Sequence, residues 1–68
     1  MIEITVNGNL EELDQSMSIN TFLEMKGFGG HLVAVAINSV VVSRTKFDAT
    51  VINEGDIVEI VRPVGGGD

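Results

Sequence analysis

The chain opens with alternating apolar and polar residues, the pattern of a strand with one buried face. The apolar positions are Ile2, Ile4 and Val6. The segment Asn7-Gly8-Asn9 is typical of a hairpin turn, so a second strand is predicted to return antiparallel over residues 10–14. This second strand is rich in acidic residues, which discourage an edge strand from pairing with other chains. We therefore expect it at an edge of the sheet.

After Ser18 the apolar spacing changes to three and four residues, which predicts a helix. Ile19, Phe22 and Leu23 form one apolar stripe. Ser18 stands where a hydroxyl caps free backbone N–H groups, and Gly27 is expected to end the helix. The glycine-rich loop that begins at Gly27 follows a helix, whereas a phosphate-binding loop precedes one, so no cofactor site is predicted there.

The second half of the chain predicts three more strands. Residues 32–37 are apolar on both faces, as expected for a strand that is covered on each side or lies partly against a partner. Asn38-Ser39 predicts a tight turn into a strand over residues 40–42. After a basic loop, Phe47 is expected to pack on the edge of the core, and Val51-Ile52 to return to the interior.

The last strand, residues 57–61, follows a turn in which Gly55 supplies a positive φ. Pro63 ends it because proline donates no ladder hydrogen bond. Val58 and Ile60 are assigned to the core. The opposite face is predicted to carry an apolar patch around one acid, formed by Ile57, Glu59 and Val61.

This order of elements predicts an α+β fold of the β-grasp (ubiquitin-like) type. One main helix packs on one face of a mixed sheet, and the last strand pairs beside the first. The other face is left to solvent or partners. We predict a β-grasp domain over residues 1–62 and a flexible glycine-rich tail over residues 63–68, because consecutive glycines bury no side chain and lose the most backbone entropy on ordering.

The composition excludes several classes of function. Ten acidic against four basic residues give a net charge of −6, which opposes binding to nucleic acid and to anionic membranes. The absence of cysteine excludes disulfides, thiolate metal sites and a cysteine nucleophile. His31 is the only histidine, and no motif places a catalytic partner beside it. We therefore predict no catalytic and no metal site.

The start of the chain lacks the basic region and apolar run of a signal peptide. The longest apolar run, residues 32–37, is far too short to cross a bilayer. A cytoplasmic location is the expectation.

Several segments together form a recognisable set: Ala34-Val35-Ala36-Ile37-Asn38, Val42-Ser43-Arg44, Phe47, Asn53-Glu54-Gly55-Asp56, Ile57-Val58-Glu59-Ile60 and Gly66-Gly67. With the strand order and the length, this set resembles the ThiS family. Its members are the ubiquitin-like sulfur carrier proteins of thiamin thiazole biosynthesis, related to the small subunit of molybdopterin synthase. The resemblance covers nearly the whole chain. Within the set, Val42-Ser43-Arg44 resembles the family's Val-Pro-Arg.

The resemblance implies a carrier that is not itself an enzyme. A ThiF-like adenylyltransferase would use ATP and magnesium to adenylate the terminal glycine carboxylate. Sulfur from a persulfide donor would then displace AMP, leaving a thiocarboxylate for a thiazole synthase. The carrier itself would bind no cofactor. The reacting residue would be Gly67, with Gly65, Gly66 and Gly67 threading the partner's active site. Candidate partner contacts are Arg44, Ile57, Glu59 and Val61.

In the family the chain ends at the diglycine, whereas Asp68 follows Gly67 here. Formation of the thiocarboxylate therefore requires removal of Asp68, for which a peptidase is expected. If Asp68 is retained, the protein serves only as a binding module. Two more functions stay open: a sulfur carrier for another pathway, such as molybdopterin or cysteine synthesis, and a ubiquitin-like modifier joined to target lysines.

Overall fold

The structure is a computed structural model that describes residues 1–28 and 32–62. Its elements in chain order are strands β1 (Ile2–Val6), β2 (Asn9–Leu13) and β3 (Met17–Ser18), helix α1 (Ile19–Met25), strands β4 (Ala34–Ile37) and β5 (Val40–Val42), a 3-10 turn (Arg44–Lys46), and strands β6 (Val51–Ile52) and β7 (Ile57–Val61). Within the described residues no helix is long and apolar enough to span a membrane.

The main sheet is mixed, with the order β2-β1-β7-β4-β5. The last strand, β7, is parallel to β1 and antiparallel to β4, while the two hairpins β1–β2 and β4–β5 are antiparallel. The predicted β-grasp arrangement is thereby confirmed, including the last strand beside the first. Strand β2 is an edge strand, as its acidic residues indicated.

Each hairpin turns through two residues of positive φ. Asn7 and Gly8 have φ values of 50° and 87°, and Asn38 and Ser39 have 52° and 71°. Positive φ at both central residues twists the flanking strands in the direction that a sheet requires. Both turns therefore lie at the predicted positions.

Helix α1 begins and ends at the predicted residues. The Ser18 hydroxyl accepts a hydrogen bond from the Thr21 backbone N–H, and Gly27 has a φ of 86°. The Phe28 N–H donates to the Leu23 carbonyl and the Gly27 N–H to the Glu24 carbonyl. These two bonds form a Schellman motif, which satisfies carbonyls that the helix end leaves free.

The core lies between α1 and one face of the main sheet. Ile19, Phe22 and Leu23 of the helix are buried with apolar residues from the strands, from the segment just before β4 and from the loop after β5, namely Ile4, Val6, Leu13, Val33, Val35, Phe47, Ile52, Val58 and Ile60. No charged or polar residue among those described is buried. Phe47 is thus confirmed as a core residue.

The segments around Met17 and Val51 differ from the prediction. Strands β3 and β6 form a second, two-stranded sheet, in which Met17 pairs with Ile52 and Ser18 with Val51. Because neighbouring residues of a strand point to opposite sides, only one of Val51-Ile52 can face the core. Ile52 is fully buried whereas Val51 is 46% exposed, so the predicted return of Val51 to the interior is wrong.

The strand predicted over residues 32–37 is shorter, since β4 spans Ala34–Ile37, and the segment is covered on one face only. Val33 and Val35 are buried, whereas Leu32 and Ala34 are exposed. In the described part of the chain nothing covers that second face, which is the open face of the main sheet.

Candidate functional site: the open sheet face and the root of the tail

One side of strand β7 faces the core and the other side is exposed, as its alternation predicted. Val58 and Ile60 are buried. Ile57 and Val61 are 49% and 60% exposed, and Glu59 between them is also exposed. The three predicted contact residues of this strand therefore lie together on one accessible surface.

The neighbouring strands extend this surface. On β4, Ala34 lies beside Val61 and Ala36 beside Glu59. On β5, Val41 lies beside Ala36 and is 76% exposed. Because the two alanines are small, a shallow depression forms here, and its lining is Ala34, Val35, Ala36, Val41, Glu59 and Val61. We call this lining, without the core residue Val35 and together with Ile57, the docking face.

Glu59 is the only charged residue of the docking face. Among the described residues the one salt bridge joins Lys26 to Glu11, with an Nζ–Oε1 distance of 2.8 Å, and it lies on the helix side of the sheet. The carboxylate of Glu59 has no cationic partner in that part of the chain. The carboxylate is therefore exposed to water, and its neighbours on the docking face are apolar.

Two turn asparagines hold β7 from either side. The Oδ1 atom of Asn7 accepts from the Ile60 N–H at 2.8 Å, and its Nδ2 donates to the Ile60 carbonyl at 3.3 Å. The Oδ1 atom of Asn38 accepts from the Ile57 N–H at 3.0 Å, and its Nδ2 donates to an Asp56 carboxylate oxygen at 3.1 Å. The side chains thus extend the backbone ladder at the two ends of β7.

Asn7 is needed because the parallel pairing of β1 with β7 is short. Only Thr5 with Ile57 and Val6 with Val58 are paired before β1 turns away. The Asn7 side-chain amide makes the next two hydrogen bonds to β7, both to Ile60, where a backbone partner is missing. Sequence reasoning identified both asparagines only as turn residues. An asparagine at the first position of each turn was the available signal, but the hydrogen-bond partner depends on how β1, for Asn7, and β4, for Asn38, are aligned with β7.

The last described residue, Arg62, contacts the end of the helix. Its guanidinium lies 5.8 Å from the centroid of the Phe28 ring, within the range of a cation–π interaction. Phe28 itself is half-buried against the core. The contact links the end of β7 to the segment that follows the C-cap of α1.

The remaining predicted site residues differ in where they lie. Residues 63–68, which contain Gly65, Gly66, Gly67 and Asp68, are outside the described residues, as is His31. Arg44 is exposed in the 3-10 turn after β5 and is not part of the docking face. In residues 1–28 and 32–62, no three His, Cys, Asp or Glu side chains are arranged to hold a metal ion.

The ThiS family model matches residues 3–67, almost the entire chain. The chain belongs to the ThiS family. The crystal structure of the thiamine biosynthesis protein ThiS from Geobacter metallireducens superposes with a TM-score of 0.85 at 33% identity, covering 97% of this chain and 100% of that one. An uncharacterised protein, ycf40, of Porphyra purpurea is 35% identical over 66 residues, or 97% of this chain and 93% of its own.

A third relative is much longer. A thiazole synthase of Magnetococcus marinus is 35% identical over 66 residues, which are 97% of this chain but only 20% of the synthase. The chain therefore spans about a fifth of that protein. A domain similar to this chain is in that case joined covalently to the rest of a thiazole synthase.

Proposed function

We propose that the protein is a sulfur carrier for the thiazole step of thiamin biosynthesis and is not an enzyme itself. The observation that carries the proposal is the ThiS family match over residues 3–67, which runs through the predicted tail to Gly67. The structural likeness to the Geobacter ThiS protein supports it, and the thiazole synthase relative favours thiazole formation over molybdopterin or cysteine synthesis.

In this proposal the terminal carbonyl of Gly67 carries the sulfur as a thiocarboxylate. A ThiF-like adenylyltransferase transfers AMP from Mg-ATP to the Gly67 carboxylate and releases pyrophosphate. The terminal sulfur of a persulfide donor then attacks the carbonyl carbon and AMP leaves. Reductive cleavage of the new S–S bond by a thiol gives the thiocarboxylate. ATP and magnesium are bound by the adenylyltransferase.

The carrier positions its own terminus in the partner's active site and supplies no catalytic side chain. Its docking face adjoins the root of the tail, because Val61 belongs to the face and Arg62 follows it directly. From Val64 to Gly67 the tail reaches at most roughly 14 Å at about 3.4 Å per residue. The body can therefore dock outside a partner's active site while glycines 65–67, which lack a Cβ, enter a narrow channel. Arg44 is assigned to a peripheral contact.

Asp68 must be removed before this chemistry can take place. In the full chain the Gly67 carbonyl carbon is bonded to the Asp68 nitrogen, so Gly67 has no free carboxylate. A peptidase therefore has to hydrolyse the Gly67–Asp68 bond first. A full-length form that is never cleaved would act only as a binding module.

The test is an intact-mass measurement. The full chain and a variant ending at Gly67 are incubated with the adenylyltransferase, Mg-ATP, a persulfide donor and a thiol. We expect the shortened form to gain the mass of an oxygen-to-sulfur exchange, and the full chain to gain it only after a cell extract has removed Asp68. If neither form gains that mass, the proposed carrier function is wrong.

A further inference from the structure

The open face of the main sheet carries charge of one sign. Three acids lie on it: Glu3, Glu12 and Glu59. Glu3 and Glu59 alternate along their strands with buried residues of the core face, and Glu12 is paired with Glu3 across β1 and β2. The four basic residues of the chain are elsewhere: Lys26 follows α1, Arg44 and Lys46 are in the 3-10 turn, and Arg62 lies against Phe28. The surface is therefore apolar and acidic.

Glu59 differs from the other two acids in its surroundings. Glu3 and Glu12 lie beside one another toward the β2 edge. Glu59 is on β7, the central strand of the sheet, with Ala36 directly beside it and Ile57 and Val61 on either side along the strand. A flat partner surface that covers the apolar residues must cover this carboxylate too.

Removing water from an unpaired carboxylate is strongly unfavourable unless a cation and hydrogen bonds replace the water. The described part of this chain provides no such cation. We infer that the partner covering the docking face places an arginine or lysine side chain against Glu59, within an otherwise apolar contact surface. Glu59 then selects the partner, because a surface without that cation leaves the carboxylate buried and unpaired.

The occupant we assign is a thiazole synthase, and this assignment rests on the proposed function. The Magnetococcus relative carries a domain similar to this chain within one polypeptide, which holds domain and synthase at high effective concentration. A second copy of this chain is disfavoured as the occupant. Two docking faces in contact would cover one Glu59 carboxylate from each copy, and neither face has a cation to pair with them.

The experiment compares two variants that remove one negative charge each. Glu59→Gln keeps the size of the side chain and removes the charge from the docking face. Glu24→Gln is the matched control, because Glu24 is exposed on α1, on the other side of the sheet. Both are made in the full chain and checked for unchanged thermal unfolding. Their binding to the thiazole synthase of the same genome is measured by surface plasmon resonance, and all forms are also taken through the intact-mass assay.

We expect Glu59→Gln to weaken binding tenfold or more, mainly through faster dissociation, since the partner's cation is left buried without its counter-charge. Glu24→Gln should stay within about threefold, the effect of a distant surface charge on association. A loss below tenfold for Glu59→Gln, or tighter binding, overturns the inference.

The outcomes also separate this inference from the proposed function. Wild-type protein that binds the synthase and acquires sulfur, with Glu59→Gln binding equally well, overturns the role of Glu59 alone. Binding that depends on Glu59 without any sulfur transfer supports the inference and contradicts the carrier function. Wild-type protein that does not bind the synthase overturns the assigned occupant and with it the inference.

Discussion

Replacing Asn7 by glycine tests the claim that a side chain completes the pairing of β7. The Asn7 amide makes two hydrogen bonds to Ile60, one to the N–H and one to the carbonyl. Glycine adopts the φ of 50° at this position without strain, so the substitution removes the amide and leaves the turn allowed.

The expected loss can be worked from these contacts. Each hydrogen bond contributes about 1 kcal/mol, and glycine adds about 0.5–1 kcal/mol through the entropy of the unfolded chain. The free energy of unfolding should fall by about 2.5–3 kcal/mol. At about 0.05–0.15 kcal/mol per residue, a domain of this size has only about 3–10 kcal/mol in all. The midpoint of thermal unfolding should therefore fall by more than about 8 °C.

The matched control is Asn9→Gly. Asn9 begins β2, is exposed, and its side chain makes no hydrogen bond within the described residues. Urea unfolding of both variants gives the free energies, and amide hydrogen exchange reports on the Ile60 N–H. We expect loss of protection at Ile60 only in Asn7→Gly. Equal stability of the two variants, with Ile60 still protected, would refute the reasoning.

Two further substitutions test the helix end and the small sheet. A Cβ at Gly27 would meet no atom of the described residues within 4 Å, so Gly27→Ala should cost only the backbone strain of a φ of 86°, about 1–2 kcal/mol. Gly27→Asn should cost less because asparagine tolerates that conformation, and urea unfolding that ranks alanine above asparagine would contradict this account. Ile52→Ala should cost about 2–5 kcal/mol, whereas Val51→Ala should cost under about 1 kcal/mol. Equal losses would show that both side chains face the core.

The sequence predicted the main elements because each has a local signal. The alternation in β1 and β7, the stripe of α1 and the turn residues all follow from the pattern of side chains within one segment. Strands β3 and β6 have two residues each, too few to show any period. Their pairing depends on contacts between segments far apart in the chain, which is why the exposure of Val51 was missed.

The two parts of the candidate site, the exposed sheet face and the tail, could be predicted from the sequence to different extents. The exposed residues of β7 follow from its alternation, but their apolar neighbours on β4 and β5 depend on which strands lie beside β7. The Asn7 and Asn38 contacts could not be predicted, because they depend on the alignment of distant strands. The tail was predicted from its glycines and from the family resemblance, and it stays a prediction because it lies outside the described residues.

The most direct test of the central claim locates the transferred sulfur. The protein is incubated with the adenylyltransferase, Mg-ATP, a persulfide donor and a thiol, after a cell extract has acted on it, and is then cleaved after Glu59 with a glutamate-specific protease. Tandem mass spectrometry should find a peptide that begins at Ile60, ends at Gly67 and carries one sulfur at its terminal carboxyl group. A peptide that still contains Asp68 and no sulfur, or sulfur at another residue, would contradict the assignment of Gly67 as the carrier group.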